Sequence, residues 1–192
     1  MANKRNRILF LSFFLFLLGC SGCSGNTGYW PVVELTVEHG EYTGDLEDNM
    51  PHGHGTYIWP DGSRYDGQWE NGVPSGYGIY ETHSGISYEG EWSDRRIHGM
   101  GTYTWPDGSK YEGEWEYGIR QGYGVWKATD GREYIGDWFD NERHGQGTYL
   151  FENGKMYIGS WNKGFYHGQG SETYPDGTII SGFWAYSIYI HQ

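Results

Sequence analysis

A chain of 192 residues with 25 acidic and 13 basic side chains and a formal net charge of −12 is a poor candidate for a nucleic-acid-binding protein. Such binding depends on neutralising phosphates with lysine and arginine. The same balance argues against anionic lipid headgroups as the main ligand and favours a basic partner. Only two cysteines are present, which excludes a disulfide framework and a cysteine-based zinc site in the folded part.

The first nineteen residues have the pattern of an export signal. Lys4, Arg5 and Arg7 precede an apolar run over residues 8–18. A run of this length is too short to span a bilayer but suits the apolar region of a signal peptide. We therefore predict a signal peptide over residues 1–19.

The apolar run ends in a sequence, Leu17-Leu18-Gly19-Cys20, that resembles the lipobox of bacterial lipoproteins. The resemblance implies that 1–19 is a lipoprotein signal peptide and that Cys20 is acylated, with palmitate-type chains, and becomes the mature N-terminus. Serine instead of aspartate follows the cysteine, which in that family allows sorting to the outer membrane. The alternative is an ordinary secretory signal or a signal anchor, giving a secreted or periplasmic protein.

A tether and a capping strand are predicted next. Residues 20–30 are mostly small and polar, which favours a flexible segment. Val33, Leu35 and Val37 alternate with polar residues within 31–41, and this is the period of a β-strand with one apolar face. We expect this strand to cap the N-terminal end of the fold.

Residues 42–179 consist of six copies of a 23-residue unit. Each copy has tyrosine at position 1, glycine at positions 3, 12, 14 and 21 and, from the second copy on, tryptophan at position 5. A fixed period of this length predicts a repeat architecture, in which each unit buries its apolar face by stacking on its neighbours. From the second copy on, the residues at positions 1, 3 and 5 are Tyr65, Gly67, Trp69, Tyr88, Gly90, Trp92, Tyr111, Gly113, Trp115, Tyr134, Gly136, Trp138, Tyr157, Gly159 and Trp161.

We interpret each repeat as a β-hairpin. Positions 1, 3 and 5 share one face of a first strand, and positions 12, 14 and 16, which are Gly, Gly and usually an aromatic residue, share a face of a second. A short connection such as residues 70–75 lies between the two strands. Dipeptides such as Asp107-Gly108 follow the second strand and favour a tight turn. The predicted fold is an all-β antiparallel meander.

The two faces of this sheet are predicted to differ. One carries rings and glycines, which leave room for the rings to lie against the backbone, and we expect it to be buried. The other carries residues such as Glu89, Glu91 and Thr102, and we expect it to be hydrated. Residues 180–192 begin a partial seventh repeat, and we expect them to form one long strand that caps the C-terminal edge.

The pattern Tyr-x-Gly-x-Trp, followed by His-Gly-x-Gly-Thr-Tyr and Asp-Gly, resembles the membrane occupation and recognition nexus (MORN) repeat. Residues 88–110 and 134–156 match it best, whereas Leu46 replaces a tryptophan and Glu172 replaces an aromatic residue. The resemblance implies an elongated, twisted, single-layer antiparallel sheet of stacked hairpins. It also implies a role in protein–protein contact, scaffolding or membrane association.

The groups that could carry chemistry follow the repeat, and this argues against an active site. His52, His98, His144 and His167 recur at position 11. Equivalent positions of neighbouring hairpins lie two strands, or about 9.6 Å, apart, which is too far for two ligands of one metal ion. The acid pairs at positions 2 and 4 also recur from repeat to repeat, whereas a catalytic pair of carboxylates would occur only once in the chain. We predict no enzymatic activity, no metal and no cofactor.

Two classes of function remain. The first is a non-enzymatic, lipid-anchored cell-envelope scaffold or interaction module, with a protein partner or a second copy of the chain bound to the sheet. The second is a glycan- or peptidoglycan-binding module that uses exposed rings as stacking platforms. Burial discriminates between them, because rings that are packed within the sheet cannot present their faces to a sugar.

Overall fold

A computed structural model describes residues 39–190 and the backbone of residues 6–9. These segments form one antiparallel sheet of 15 strands in sequence order, and no helix occurs among them. The predicted all-β antiparallel fold of stacked hairpins is confirmed. The strands are β1 (Asn6–Leu9), β2 (Glu41–Glu47), β3 (Met50–Ile58), β4 (Arg64–Glu70), β5 (Val73–Glu81), β6 (Ser87–Ser93), β7 (Arg96–Thr104), β8 (Lys110–Glu116), β9 (Ile119–Lys127), β10 (Glu133–Phe139), β11 (Glu142–Leu150), β12 (Met156–Asn162), β13 (Phe165–Thr173), β14 (Ile179–Ala185) and β15 (Ile188–Ile190).

The N-terminal edge of the sheet is β1, which pairs with β2 from Asn6 opposite Gly44 to Leu9 opposite Glu41. This strand belongs to the predicted signal peptide. Cleavage before Cys20 would remove β1 and open the edge of β2 to the predicted capping strand. Cys20, the tether and residues 31–38 of that capping strand lie outside the described residues, so these assignments stay predictions.

Two kinds of turn join the strands. Within a repeat the turn has only two residues, both at positive φ, such as Asp94 (48°) and Arg95 (66°), which is the geometry of a type I′ hairpin. Between repeats the turn is longer: the Gly108 amide donates to the Trp105 carbonyl over 2.9 Å, with the φ of Gly108 at 85°. The observed turn within a repeat is therefore shorter than the connection predicted for it. Positions 9 and 10, which were predicted to lie in that connection, belong to the second strand of the hairpin.

Every repeat contains a bulge in its second strand. The first strand of each hairpin has seven residues and the second has nine, so the register shifts after position 3. Gly122 at position 12 has a φ of 69°, and a Cβ there would lie 2.5 Å from the Glu114 carboxylate on the acidic face. The prediction that position 12 shares the ring-bearing face is wrong, because the extra residues of the bulge break the alternation.

The side chain at position 4 holds this bulge in place. The Glu114 carboxylate accepts a hydrogen bond from the Tyr123 amide at 2.9 Å. The same bond recurs at 2.8–3.2 Å in four other repeats. The side chains at position 4 are therefore structural groups as well as hydrated ones. In those four repeats the acceptors are the side chains of Asp45, Gln68, Glu91 and Asp137.

We expect Glu114→Ala to lower the free energy of unfolding by about 1 kcal/mol, because the bulge amide loses its acceptor. Glu114→Gln should have a much smaller effect, since Gln68 performs the same function in the second repeat. Glu112→Ala, which removes an exposed acid from the same strand, is the control. Urea unfolding measures all three, and equal losses for the two alanine variants would contradict the assigned role of position 4.

The buried face is a ladder of rings, which we call the ring face. The ring of Tyr88 lies over Gly101, where a Cβ would fall 2.5 Å from the ring carbon Cζ. The Tyr88 hydroxyl donates to the Glu91 carbonyl at 3.0 Å. The position 1 tyrosines are all 0 % exposed, and they are Tyr42, Tyr65, Tyr88, Tyr111, Tyr134 and Tyr157.

Tryptophan at position 5 joins each repeat to the preceding one. The Trp115 indole N–H donates to the Gly101 carbonyl of the preceding repeat at 3.2 Å. Its ring centroid lies 6.0 Å from that of Tyr88 and 5.0 Å from that of Tyr111 in its own repeat, both edge-on. The indole bond recurs for the tryptophans from Trp69 to Trp184. The core is therefore continuous across every repeat boundary, and stability is a sum of neighbour contacts.

The C-terminal end is a hairpin instead of the predicted single long strand. Tyr186 and Ser187 have φ of 50° and 61°, so the chain turns there and β15 returns along β14. The seventh copy thus keeps the two-residue turn of the others. Within the described residues, β15 is the C-terminal edge of the sheet.

Candidate binding surfaces

The tryptophans of the ring face do not form an open stacking platform. At position 5 of the second to seventh copies, they are 2–6 % exposed. Their edge-on contacts with tyrosines fill the space that a sugar ring would need. Burial of these rings weakens the glycan-binding alternative.

The opposite face, which we call the outer face, changes character along the chain. The third and fourth repeats expose carboxylates there, as predicted. Met100 and Tyr123 of the same two repeats are also exposed, at 54 % each, and at positions 2 and 4 the fifth and later repeats carry an apolar strip with side chains 37–50 % exposed. The exposed acids are Glu89, Glu91, Glu112 and Glu114, and the apolar strip is formed by Ile135, Ile158 and Phe183.

The histidines at position 11 pack near hairpin turns. The His98 ring centroid lies 4.7 Å from that of Tyr117, in the turn of the next repeat. The His144 centroid lies 5.5 Å from that of Phe139. Among the residues that the structure describes, no three His, Cys, Asp or Glu side chains are grouped so that they could hold a metal ion.

A cavity of about 330 Å³ lies beside the ring ladder at the fourth and fifth repeats, and we call it the arginine pocket. Three basic side chains and three rings form most of its wall. Glu142, an exposed residue at the start of β11, is the one carboxylate among the lining residues, and the three arginines outnumber it, so the cavity has the character of a cationic binding site. The main lining residues are Arg120, Arg132, Arg143, Trp126, Trp138 and Tyr149.

Arg120 is the most deeply buried of the three, at 3 % exposure. Its Cζ lies 4.1 Å from the centroid of the Trp138 ring, and its Nη2 donates to the Asn141 carbonyl at 2.6 Å. Burial lowers the pKa of the Arg120 guanidinium to about 9, which leaves it charged at neutral pH. The pocket thus has a cation stacked on an aromatic wall.

Arg143 lies between two rings, with its Cζ 4.8 Å from the Tyr149 centroid and 4.7 Å from the Trp161 centroid. Its Nη2 donates to the Gly164 carbonyl at 3.2 Å. Burial lowers the pKa of Arg143, and nearby tyrosines, Tyr149 first among them, oppose that shift. Stacking and the carbonyl bond together fix the guanidinium in one orientation.

A neighbouring site shows how the chain neutralises a charged pair on the ring face elsewhere. Glu172, which replaces the ring at position 16 of the sixth repeat, is 4 % exposed. Its carboxylate accepts hydrogen bonds from the Lys155 Nζ and the Tyr174 hydroxyl, both at 2.7 Å. The departure of Glu172 from the repeat pattern is therefore compensated by two local donors.

The sequence signal for the arginine pocket lies at position 10, which the sequence interpretation placed in a connection. This position pairs with the tryptophan of position 5, as Arg120 does with Trp115, and so lies on the ring face. The first three copies carry proline or isoleucine there, and the next two carry Arg120 and Arg143. Arginine at a buried position of a repeat was the signal that could have identified the site.

The tyrosine, glycine and tryptophan residues singled out from the sequence all lie in strands of the ring ladder. The structure brings them together as a continuous core. Cys20, the predicted acylation site, lies outside the described residues. No helix in the part of the chain that the structure describes is long and apolar enough to cross a bilayer.

Comparison with known families identifies the repeat. The model of the MORN repeat matches residues 42–64, 65–86, 88–110, 111–131, 134–156 and 157–179. The chain belongs to the MORN repeat family. Family membership indicates a repeat-based module for protein interaction or membrane association, and it points away from an enzyme.

Comparison with whole proteins finds only a distant structural similarity. No curated protein matches the chain. Among solved structures, the chain is similar to the TCP domain of SAS-4 from Drosophila melanogaster, solved in complex with a proline-rich motif of Ana2. The identity is 13 %, the match covers 68 % of this chain and 73 % of the other, and the TM-score is 0.44.

Proposed function

We propose that this MORN repeat protein is a non-enzymatic interaction module that binds a protein partner on its outer face while a lipid on Cys20 holds it at a bacterial cell envelope. One observation carries the interaction: the described chain is a single sheet, so no second layer covers the outer face. That face offers exposed carboxylates with apolar side chains among them and after them. Such a surface suits a partner with both basic and apolar residues.

The ring face supports the assignment to a non-enzyme. Its tyrosines and tryptophans are used in packing the repeats against each other. The arginine pocket holds guanidinium groups, which stay protonated and are poor general bases. The repeats therefore form a scaffold on which other molecules are positioned.

Affinity enrichment from native membranes tests the interaction. The full chain should recover a partner in a salt-sensitive manner, and the double variant Glu89→Lys and Glu112→Lys should lose it. The control is Asp94→Lys with Asp140→Lys, which changes the charge equally at turn position 7, where the chain already has Lys163. Failure to recover a partner, or equal recovery with both double variants, would sink the outer-face proposal.

The anchor is tested separately by intact mass. Protein isolated from the membrane fraction should begin at Cys20 and carry the added mass of acyl chains. Cys20→Ala should release the protein from the membrane, since stable anchoring depends on those chains. An unmodified N-terminus upstream of Cys20 would rule out lipidation and leave the interaction proposal standing.

A further inference from the structure

The arginine pocket breaks the repeat symmetry in a chain whose net charge is −12. Position 10 places a cation on the ring face in only the fourth and fifth copies. Arg132, at position 22 of the fourth copy, lines the same cavity. Against these three cations the lining has one carboxylate, that of Glu142. The charge of this cavity is thus opposite to that of the molecule.

The guanidinium groups of Arg120 and Arg143 are held by rings and by backbone carbonyls. Among the ion pairs formed between described residues, Arg132 has Asp130 at 2.8 Å, whereas Arg143 takes part in none. One repeat further on, Lys155 has Glu172 at 2.7 Å. The chain therefore supplies an internal carboxylate at the partly buried Lys155 and none at the partly buried Arg143.

We propose that the arginine pocket receives the carboxylate of an aspartate or glutamate side chain from an acidic, apolar-flanked segment of a partner protein. The inference rests on the proposed interaction function and adds a second contact on the other face of the sheet. A planar carboxylate matches the two N–H groups of a guanidinium fork. The rings of Trp126 and Tyr149 line the same cavity and suit the apolar part of such a segment.

The size and charge of the surroundings favour this occupant. A cavity of about 330 Å³ is at the small end of ligand sites and fits one side chain with its neighbours. The net charge of −12 repels polyanions such as nucleic acids at longer range, whereas a single carboxylate needs only the local cations. Glu172 is the internal precedent, because it is a carboxylate held on the ring face by a cation and a phenol.

Binding of short peptides to the full chain tests the proposal. The probes are acetyl-Ala-Leu-Glu-Leu-Ala-amide and the same peptide with Gln in place of Glu, followed by chemical shifts of the arginine Nε–H groups. We expect the Glu peptide to bind at least about tenfold more tightly, because it alone forms a charge-assisted bond. Arg143→Met should reduce the ratio of the two affinities to about one.

Lys110→Met is the matched control, since it removes an exposed cation from β8 and should leave the affinity ratio unchanged. Arg132→Met is a second variant with an exposed side chain, and it should lower the ratio even if Arg143→Met does not fold. Equal affinities of the two peptides, or a ratio that survives in a folded Arg143→Met protein and in Arg132→Met, would overturn the proposal. Tighter binding of a phosphotyrosine peptide than of the Glu peptide would also overturn it.

The pocket and the outer face can fail independently. If the outer-face double variant loses the partner and the peptides show no Glu preference, the proposed function stands and the pocket assignment falls. If the peptides show the Glu preference but no partner is recovered from membranes, the pocket assignment stands and the outer-face proposal falls.

Discussion

Gly101→Ala should strongly destabilise the protein, because the ring face has no room for a methyl group at this position. The Cβ would fall 2.5 Å from Cζ of the Tyr88 ring, so this ring would have to leave its buried position. The variant would then lose the hydroxyl bonds of Tyr88 to the Glu91 and His98 carbonyls and its edge contact with Trp115. We expect a loss of about 3–5 kcal/mol, as for removal of a large core ring, out of a typical total of about 5–15 kcal/mol.

Gly131→Ala is the control for this experiment. No atom lies within 4 Å of a Cβ placed there, but the φ of Gly131 is 91°, so alanine costs only the backbone strain of about 1 kcal/mol. Thermal and urea unfolding should rank the two variants in that order. Hydrogen exchange should show the greatest loss of protection in β6, β7 and β8, next to the displaced ring. Similar stabilities of the two variants would show that the contact between the tyrosine rings and the glycine backbone does not stabilise the fold.

Raising the pH above about 10 should unfold the ladder cooperatively. Burial raises the pKa of Tyr42, Tyr103 and Tyr157 to about 12 and raises those of Tyr65 and Tyr88 further. In the unfolded chain these phenols titrate near pH 10. The folded state therefore holds more protons than the unfolded state between these values, and its stability falls as the pH rises.

The sign of this effect fixes the pH window. The stabilisation from buried neutral phenols is fully present below about pH 10 and is lost as the pH rises towards 12 and above. Tyrosinate absorbance and the circular dichroism of the strands should change together in one steep step. In denaturant, the same phenols should titrate in a broad step near pH 10. Gradual ionisation with the strands intact would contradict the burial of the tyrosine ladder.

The sequence predicts the ladder well because its determinants are local and repeated. Tyrosine, glycine and tryptophan at alternate positions can share a strand face only in an extended chain. Because the same pattern recurs in every copy, each copy supports the strand assignment of the others. The Asp-Gly turns between repeats follow from the same reasoning, since Gly108 needs its positive φ. The order of strands in the sheet follows because tight turns join neighbours.

The bulge and the C-terminal hairpin escaped the sequence interpretation for one physical reason. Both depend on how many residues lie opposite one another in paired strands, which the identity of the residues does not reveal. The Glu114 bond to the Tyr123 amide joins residues nine apart across a register shift. The turn at Tyr186 and Ser187 lacks glycine, so nothing in its local sequence marked it as a turn.

By itself, therefore, the sequence determined the repeat, the all-β class, the ring-bearing face and the acidity of the opposite face in the third and fourth copies. Only the tertiary structure decided that position 10 lies on the ring face and that Arg120 and Arg143 meet Arg132 around one cavity. These three residues belong to two repeats and to both ends of the hairpins, and stacking of the repeats brings them together. Local periodicity specifies a face, whereas a site between repeats exists only after the repeats have packed.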